Sequence, residues 1–377
     1  MSSKFIKASK HSKRILFVFR GLGIGGAQKI QAFVANCCLN VGFDVVAVIT
    51  RRNQIKTINL DDRIPVYTVN YPLYDINFKS IIRKLYIRII FTLHLRKEIL
   101  RLKPDLVCSF MTDITRMVHY ALGLNKIKLI GAERGNPFKY KKKDLYKYIN
   151  AFSRCNFVIF QTERAKSAYP KNIQLKSAVI PNPCIPRLAP ISVYNGEREK
   201  IIFGVGRLNR DKRFDILIQA FNIVHKKHPD WKLIIFGDGE LKFKLLQLSN
   251  SLNLEEAIHF PGNIPNVFAE AYKYGIFVLS SDNEGIPNVL IEAMSLGIPC
   301  ISTDCEPGGP ALLLKEGERG VLVPTGDIQK MAEVICYYIE NPDIANRYGK
   351  LGLKVVTEFD PDKIGRKWIE IFEKLLA

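Results

Sequence analysis

The chain has 377 residues, 47% of them apolar, and 56 Lys and Arg against 36 Asp and Glu give a formal net charge of +20. This length predicts two domains, because single cores stop growing at roughly 250–300 residues, and the apolar fraction excludes a disordered chain. No stretch approaches the ~18 consecutive apolar residues of a membrane span. The positive surplus indicates an anionic partner: nucleic acid, an acidic membrane surface or a phosphorylated substrate.

The positive charge is confined to one half of the chain. Residues 1–200 hold 36 Lys and Arg against 12 Asp and Glu, whereas residues 201–377 hold 20 against 24. The anion is therefore expected to meet the first half. The eight cysteines form no C-x-x-C pair, so they predict neither a disulfide framework nor a zinc site and are typical of small buried residues in a reducing cytosol.

Short β-branched and aromatic runs alternate with helical patterns through the first half. The first predicted strand, residues 15–19, leads through a glycine turn to a helix at about 27–39. Further strands are predicted at 44–50, 106–110, 128–132, 157–160 and 178–180. This alternation is typical of βαβ units and of a parallel sheet covered by helices on both faces.

A proline-rich stretch from Pro181 to Pro186 interrupts the alternation and is interpreted as a linker. The pattern then resumes, with strands predicted at 201–205, 232–236, 276–280 and 299–303 and helices at about 214–226 and 287–295. We therefore predict an N-terminal domain of residues 1–185, a C-terminal domain of residues 186–360 and a final helix at 361–377.

Three glycines after the first strand, Gly21, Gly23 and Gly26, satisfy the pattern G-x-G-x-x-G. In a Rossmann domain such glycines let a pyrophosphate approach the start of a helix. The acidic residue that would hold a ribose is missing, because the next strand ends in Thr50-Arg51-Arg52. The turn therefore leaves open an NADP site, which tolerates arginines, or a site for another phosphorylated ligand.

Two cations follow the first strand of the second domain. Arg207 offers a fork of donors that matches phosphate oxygens, and Lys212 adds a compact charge at the start of a helix. The pair suits a diphosphate at the carboxyl ends of parallel strands, where α/β proteins bind their ligands. A solvated basic turn is the alternative interpretation.

Residues 280–293 form the most informative stretch. Glu284 lies in the loop after a strand, and Glu292 follows eight residues later, a little over two helical turns on. Between them, the free backbone N–H groups of Asn288, Val289 and their neighbours at the helix start can receive an anion. Carboxylates on both sides of such a helix end suit a nucleotide sugar, which carries hydroxyls on either side of its phosphates.

Glu284 and Glu292 resemble the E-x7-E motif of retaining glycosyltransferases with the GT-B fold, in particular glycosyltransferase family 4. The resemblance covers nearly the whole chain, in order, through Gly25-Gly26-Ala27-Gln28, Pro181-Asn182-Pro183, Gly206-Arg207-Leu208 with Lys212, and Thr325-Gly326-Asp327. It implies an α/β protein of GT-B architecture, with two Rossmann-like domains facing each other across a cleft. It also implies that the final helix crosses back onto the first domain.

The resemblance assigns roles to individual residues. Arg207 and Lys212 would neutralise the departing diphosphate, Glu284 would bond hydroxyls of the transferred sugar, and Glu292 would hold the ribose. The other donor-binding residues that it implies are Gly25, Gly26, Gly285, Asn288 and Val289. No metal and no other cofactor is expected, since the D-x-D at Asp360–Asp362 heads the last helix and is interpreted as an N-cap.

The acceptor side departs from the family pattern. Many relatives place a histidine after a strand of the first domain, where this chain has Glu133 and Arg134. The segment is similar to a Ser-Glu-Arg-x-x-Pro form found in relatives that build surface glycans. The resemblance implies that Glu133 or Arg134 takes over the acceptor contact, with Asn182 on the same side.

Two segments concentrate the positive charge. Residues 79–101 predict a basic amphipathic helix with an apolar stripe of Ile82, Leu85, Ile89, Leu93 and Leu100. Residues 139–148 interleave lysines with tyrosines. Both fit an anionic membrane surface, while a core-packed helix with solvated charges and a nucleic-acid surface are the alternatives. The likeness to a sugar transferase favours the membrane over nucleic acid.

The sequence thus predicts a retaining, metal-independent transferase that moves a hexose or N-acetylhexosamine from a UDP-sugar to a lipid-linked or growing saccharide. It is expected in the cytoplasm, bound peripherally to the inner face of the cell membrane, with no nucleic-acid partner. Two competing hypotheses remain: an NADP-dependent oxidoreductase that uses the Gly21–Gly26 turn, and a non-catalytic membrane- or nucleic-acid-binding module.

Overall fold

The computed structural model describes residues 13–23, 26–50, 58–69, 81–185, 194 and 196–377, and only the backbone of residues 81–84. The chain divides into two compact units, Met1–Pro181 with Asp362–Ala377 and Asn182–Pro361. The boundary lies at Asn182 instead of after residue 185. The reason is that the Cys184 N–H donates to the Phe359 carbonyl at 2.7 Å, which joins the proline-rich stretch to the second unit.

The first unit is built on a seven-stranded sheet whose described pairs are all parallel, in the order β3-β2-β1-β4-β5-β6-β7. Its strands are β1 (Arg14–Phe19), β2 (Asp44–Ile49), β3 (Val66–Thr68), β4 (Leu106–Phe110), β5 (Lys128–Ala132), β6 (Phe157–Phe160) and β7 (Ser177–Val179). Its helices include α1 (Gly26–Asn40), α2 (Ile81–Leu102), α3 (Thr112–Leu122), α4 (Lys142–Ser153), α5 (Glu163–Ser167) and α6 (Lys171–Gln174).

The second unit is built on a six-stranded parallel sheet in the order β10-β9-β8-β11-β12-β13. Its strands are β8 (Glu199–Val205), β9 (Lys232–Phe236), β10 (Ile258–Gly262), β11 (Tyr274–Leu279), β12 (Cys300–Thr303) and β13 (Val321–Val323). Its helices are α7 (Phe214–Lys227), α8 (Lys242–Ser251), α9 (Phe268–Ala271), α10 (Asn288–Ser295), α11 (Gly309–Leu314), α12 (Ile328–Glu340), α13 (Pro342–Gly352) and α14 (Lys354–Glu358).

The strands at the centre of each sheet are continuous apolar runs because both of their faces are covered. In β1, the five residues after Arg14 are fully buried, and their side chains alternate between two cores. One core receives α1, and the other receives α2 and α3. Burial of both faces removes the alternation of polar and apolar residues, which is why the sequence pattern marks these strands clearly.

The last helix, α15 (Pro361–Leu376), completes the core of the first unit. Its buried residues Trp368 and Phe372 pack in the same cluster as β1, and the Trp368 ring stacks on Phe110 with centroids 5.2 Å apart. The predicted return of the final helix to the first domain is therefore seen in the packing of this unit. Among the described residues, no helix has the length and apolarity needed to cross a bilayer.

Candidate active site

Apart from Gly25 and Gly26, the predicted donor residues lie at the carboxyl end of the second sheet, where the strand order reverses direction. The strands β8 and β11 are neighbours there, and the chain proceeds from them toward opposite edges of the sheet. Such a reversal leaves a crevice beyond the strand ends, and α/β proteins bind ligands in it. Arg207 and Lys212 follow β8, whereas Glu284 follows β11.

Lys212 and Glu284, which are 72 residues apart in sequence, form an ion pair between Nζ and Oε1. The Ser281 hydroxyl donates to the same Oε1 at 2.8 Å. The two charged side chains are 20% and 13% exposed, so water screens the pair little. Gly206 makes room for the lysine stem, because a β-carbon there would lie 3.1 Å from Lys212 Cε.

The Arg207 side chain is exposed and forms no hydrogen bond or ion pair with any residue that the structure describes. It lies on the same loop as Lys212, which is already paired with a carboxylate. The site therefore holds one cation that is engaged and one that is open to solvent. Arg207 is thus open to an anionic ligand, whereas Lys212 already pairs with Glu284.

The backbone that is predicted to receive an anion lies at the start of α10. Pro287 precedes the helix, and the first turn begins at Asn288 and Val289. Gly285 lies where the chain approaches a neighbouring loop very closely, since a β-carbon on Gly309 would be 1.4 Å from the Gly285 carbonyl oxygen. Glu292 lies one turn further along α10 and is half-buried. The E-x7-E segment thus lies in the same unit and at the same sheet edge as Lys212.

Asn182, which the resemblance placed on the acceptor side, belongs to the second unit. Its side-chain amide donates to Asn288 Oδ1 at 2.8 Å and to the Ile286 carbonyl at 3.2 Å. Asn182 is buried, so these bonds fix the loop that precedes α10. The structure therefore places Asn182 beside the start of α10, and its role on the acceptor side stays a prediction.

Glu133 is buried at the end of β5 and accepts hydrogen bonds from four donors. Oε1 accepts from Thr112 Oγ1 at 2.8 Å, from Tyr140 OH at 3.0 Å and from the Gly135 N–H at 2.8 Å, while Oε2 accepts from Tyr169 OH. A buried carboxylate is costly unless it is bonded in this way. The loop after β5 is therefore organised around Glu133.

The half-buried Arg134 lies against two aromatic rings, with its guanidinium carbon 4.7 Å from the Phe110 centroid and 5.6 Å from that of Trp368. Burial lowers the pKa of Arg134 to about 10. Since Trp368 belongs to α15, Arg134 helps to hold the last helix against the sheet. In the first unit, Gly26 begins α1, whereas Gly25 lies outside the described residues.

The sequence patterns missed several residues that organise the donor loops. Arg213 pairs with Asp215 and Asp282, and the Ser280 hydroxyl donates to the Lys212 carbonyl at 2.8 Å. Around Glu133, the partners Tyr140 and Tyr169 were also missed. The contacts of Arg213 with Asp282 and of Ser280 with Lys212 join segments 69 and 68 residues apart, which no local pattern records. Only the Ser280-Ser281 pair directly before the motif gave a local signal.

The second unit has a further cavity of about 430 Å³ at the opposite, amino-terminal end of its strands. Trp231, Arg198 and Glu340 are among the residues that line it, and none of the predicted site residues does. Within the described parts of the chain, no group of three or more His, Cys, Asp or Glu side chains is arranged to hold a metal ion.

Comparisons with known proteins agree with this geometry. An uncharacterized glycosyltransferase of Methanocaldococcus jannaschii is 32% identical over 335 residues, 75% of this chain and 82% of that protein. The N-acetylgalactosamine-N,N'-diacetylbacillosaminyl-diphospho-undecaprenol 4-alpha-N-acetylgalactosaminyltransferase of Campylobacter jejuni is 32% identical over 169 residues, 45% of each chain. The crystal structure of Anabaena HepE in complex with UDP and glucose has a TM-score of 0.79 at 19% identity, covering 96% of this chain and 100% of that one.

The two parallel-sheet units therefore have the GT-B fold. A model of the family "Glycosyl transferases group 1" matches residues 192–355, which contain the predicted donor site. Together with the Methanocaldococcus relative, this match shows that the chain belongs to the group 1 glycosyltransferases. The comparisons do not favour an NADP-dependent oxidoreductase or a non-catalytic binding module.

Proposed function

We propose that the protein is a retaining glycosyltransferase resembling family 4, which moves a hexose or N-acetylhexosamine from a UDP-sugar to a lipid-linked or growing saccharide of a cell-surface glycan. The observation that carries the proposal is the arrangement of Arg207, Lys212 and Glu284 at the switch point of the second sheet. The UDP named for HepE and the diphospho-undecaprenol named for the Campylobacter enzyme support the two substrate classes.

The two cations suit the departure of a nucleoside diphosphate. As the bond between the sugar and the phosphate breaks, negative charge develops on the phosphate oxygen, and fixed positive groups stabilise it. In the proposed complex Arg207 binds the diphosphate directly, and Lys212 exchanges Glu284 for a phosphate oxygen. The same exchange frees the Glu284 carboxylate for hydroxyls of the sugar. No metal ion is required in this proposal.

The remaining donor contacts follow the E-x7-E segment. We assign the ribose hydroxyls to Glu292 and the phosphates to the backbone at Gly285, Asn288 and Val289. Gly25 and Gly26 stay donor-binding residues that the resemblance implies. Free N–H groups at a helix start stabilise anions, which suits this part of α10. Retention follows from attack on the face that the diphosphate leaves, with a leaving phosphate oxygen taking the proton of the acceptor hydroxyl. Double displacement through a glutamate is the alternative route.

For the acceptor we propose a supporting role for Glu133 and Arg134 in place of direct contact. Glu133 is 1% exposed, and both of its carboxylate oxygens are already bonded. Arg134 is half-buried, with its guanidinium against Phe110 and Trp368. Their contacts instead fix the loop after β5 and the helix α15. The acceptor hydroxyls would then meet the surface of this loop.

We also propose that the first unit binds the inner face of the cell membrane through α2. The buried side of this helix is Ile87, Phe91, Leu95, Ile99 and Leu102. Almost opposite lies a second apolar stripe, in which Leu85, Ile89 and Leu93 are 58%, 53% and 57% exposed. Exposed cations flank it at Arg88 and Lys97. An apolar stripe beside basic residues suits the headgroup region of an anionic bilayer.

The transferase proposal is tested by UDP release from a panel of UDP-hexoses and UDP-N-acetylhexosamines, with and without an undecaprenyl diphosphate-linked saccharide. We expect release to rise with acceptor for one donor and to fall about 100-fold in Glu284→Ala. Product anomers assigned by NMR report retention, and EDTA reports any need for metal. The site assignment is wrong if neither Glu284→Ala nor Arg207→Ala slows turnover.

The membrane proposal is tested by sedimentation with vesicles of phosphatidylcholine alone or with phosphatidylglycerol. We expect binding to the anionic vesicles only, weakened by salt and lost in Leu93→Glu. Phe243→Glu is the matched control, because Phe243 is equally exposed but lies in the second unit. Equal binding by Leu93→Glu and the wild-type protein would contradict the assigned face.

A further inference from the structure

Arg213, the residue after Lys212, has a backbone conformation that is unusual for an arginine. Its φ of 48° and ψ of 42° lie in the left-handed region, where a β-carbon is disfavoured and glycine is the residue normally found. The position connects the Lys212 turn to the start of α7. A strained residue persists only where its surroundings hold it, and such residues concentrate at functional sites.

The side chain of Arg213 joins two acidic residues on different elements. Its Nη1 donates to Asp282 Oδ2 at 2.8 Å, while Nε and Nη2 donate to the two carboxylate oxygens of Asp215, both at 3.1 Å. These hydrogen bonds raise the pKa of Arg213, and the bonds to Asp215 contribute more than the bond to Asp282. Asp215 lies in the first turn of α7, whereas Asp282 lies in the loop after β11, two residues before Glu284.

The loops that carry Lys212 and Glu284 are therefore joined beside the site itself. Besides the Arg213 side chain, the Asp282 N–H donates to the Asp211 carbonyl at 2.8 Å and the Ser280 hydroxyl donates to the Lys212 carbonyl at 2.8 Å. In the proposed complex, the Lys212–Glu284 ion pair opens when a diphosphate takes the lysine. The Arg213–Asp282 ion pair is a charged link between the two loops that can remain in place.

We infer that Arg213 is a positioning residue, which uses Asp282 to hold Lys212 at the distance from Glu284 that a nucleoside diphosphate requires. The inference rests on the proposed function, since it concerns the same donor site. The forked guanidinium accounts for an arginine here in spite of the strain. Nε and Nη2 of the guanidinium bind Asp215 in a bidentate manner, and Nη1 binds Asp282. The single ammonium group of a lysine cannot make this arrangement.

If Arg213 has this role, the substitution Arg213→Gly should lower the affinity for UDP without lowering the stability of the protein. Arg213→Gly removes the β-carbon and relieves the left-handed strain, so the urea midpoint is expected to stay equal to or above that of the wild-type protein. The same change removes the link, and UDP affinity is expected to fall about tenfold, because small displacements of a binding group are costly. An arginine with a merely structural role would lower the urea midpoint when replaced.

The experiment measures UDP binding by calorimetry and urea unfolding for the wild-type protein, Arg213→Gly, Arg213→Lys and Asp282→Asn. We expect Asp282→Asn to lose as much UDP affinity as Arg213→Gly, the double variant to lose no more than either, and Arg213→Lys to recover part. In turnover with the donor found in the panel, KM for the donor rises more than kcat falls.

Lys315→Gly is the matched control. Lys315 also has a left-handed backbone, with φ 52° and ψ 57°, at the end of α11. We expect this variant to keep wild-type UDP affinity. Unchanged affinity in Arg213→Gly or in Asp282→Asn would overturn the inference, and so would a tenfold loss in Lys315→Gly. Lack of UDP binding by the wild-type protein would overturn the proposed function itself.

Discussion

Two glutamates at corresponding edges of the two sheets have opposite surroundings. Glu133 follows β5 in the first unit and is enclosed by three hydroxyls and a backbone N–H. Glu284 follows β11 in the second unit, where only Oε1 is engaged and Oε2 bonds to none of the described residues. After a strand of a parallel sheet, one carboxylate, Glu133, thus organises a loop. The other, Glu284, keeps an oxygen that can bind a ligand.

The difference extends to the charged residues nearby. In the first unit, Arg134 lies against aromatic rings and the exposed surface carries the basic and apolar residues of α2. In the second unit, the net charge is close to neutral and the cations are placed singly beside Glu284. The many positive charges of the first unit therefore suit a broad binding surface. The few cations beside Glu284 in the second unit suit a defined binding site.

The largest expected effect is a loss of stability when the packing of α15 against the first unit is disrupted. Trp368 of α15 is fully buried against Phe110, so Trp368→Ala should lower the free energy of unfolding by about 3–5 kcal/mol. Urea unfolding followed by circular dichroism measures it. Phe243→Ala, at an exposed position of the second unit, should change it by less than about 0.5 kcal/mol. A similar loss in both variants would contradict the proposed importance of α15.

The next prediction tests whether the position of a single cation matters more than the total positive charge. Arg207→Ala should lower kcat by about 10²–10³-fold, because it removes a donor to the charge that develops on the leaving group. Arg210→Ala is the control: Arg210 is an exposed arginine on the same loop. Steady-state UDP release measures both. Equal losses in the two variants would indicate that general positive charge, not the position of Arg207, is what matters.

A smaller effect distinguishes the two glutamates. Tyr169→Phe removes a hydroxyl that donates to Glu133, and a hydrogen bond to a charged group contributes about 1.5–3 kcal/mol. The pKa of Tyr169 is raised mainly by burial and, to a smaller extent, by the nearby charge of Glu133, as expected for an enclosed neutral donor. Ser281→Ala removes the corresponding donor to Glu284. We expect the first change to lower the free energy of unfolding more and the second to slow turnover more.

The smallest effect is pH-dependent and concerns a buried arginine of the second unit. Arg319 is 3% exposed and donates to Glu358, which holds the pKa of that carboxyl below its usual value. The stabilisation is therefore complete above the unfolded pKa of about 4.3 and is lost as the pH falls through the folded pKa. The difference in urea midpoint between wild type and Glu358→Gln should shrink from pH 7 toward pH 3.

Glu333→Gln is the control for this pH dependence, because Glu333 pairs with Lys330 at an exposed position. Its urea midpoint should follow that of the wild-type protein at every pH. A Glu358→Gln difference that does not vary with pH would show that the carboxylate charge is not what stabilises Arg319.

Local patterns predicted most of the inner strands because these are buried on both faces. The strands β4, β5, β6 and β9 have the predicted limits. The edge strands β3, β10 and β13 were not predicted, since they are only partly buried. In addition, β3 and β13 have three residues each, and β10 contains a proline. Their pairing depends on a neighbouring strand already being in place.

The sequence by itself determined the parallel α/β architecture and the cations and carboxylates that follow β8 and β11, because strand burial and loop chemistry are recorded in consecutive residues. Only the tertiary structure decided that Glu133 would be enclosed, that Asn182 would support α10, and that Arg213 would link two loops. Each of them bonds a distant partner: Glu133 to Thr112, Arg213 to Asp282 and Asn182 to Asn288 are separated by 21, 69 and 106 positions. Contacts over such separations form only when the sheet brings its strand ends together, and no local spacing records them.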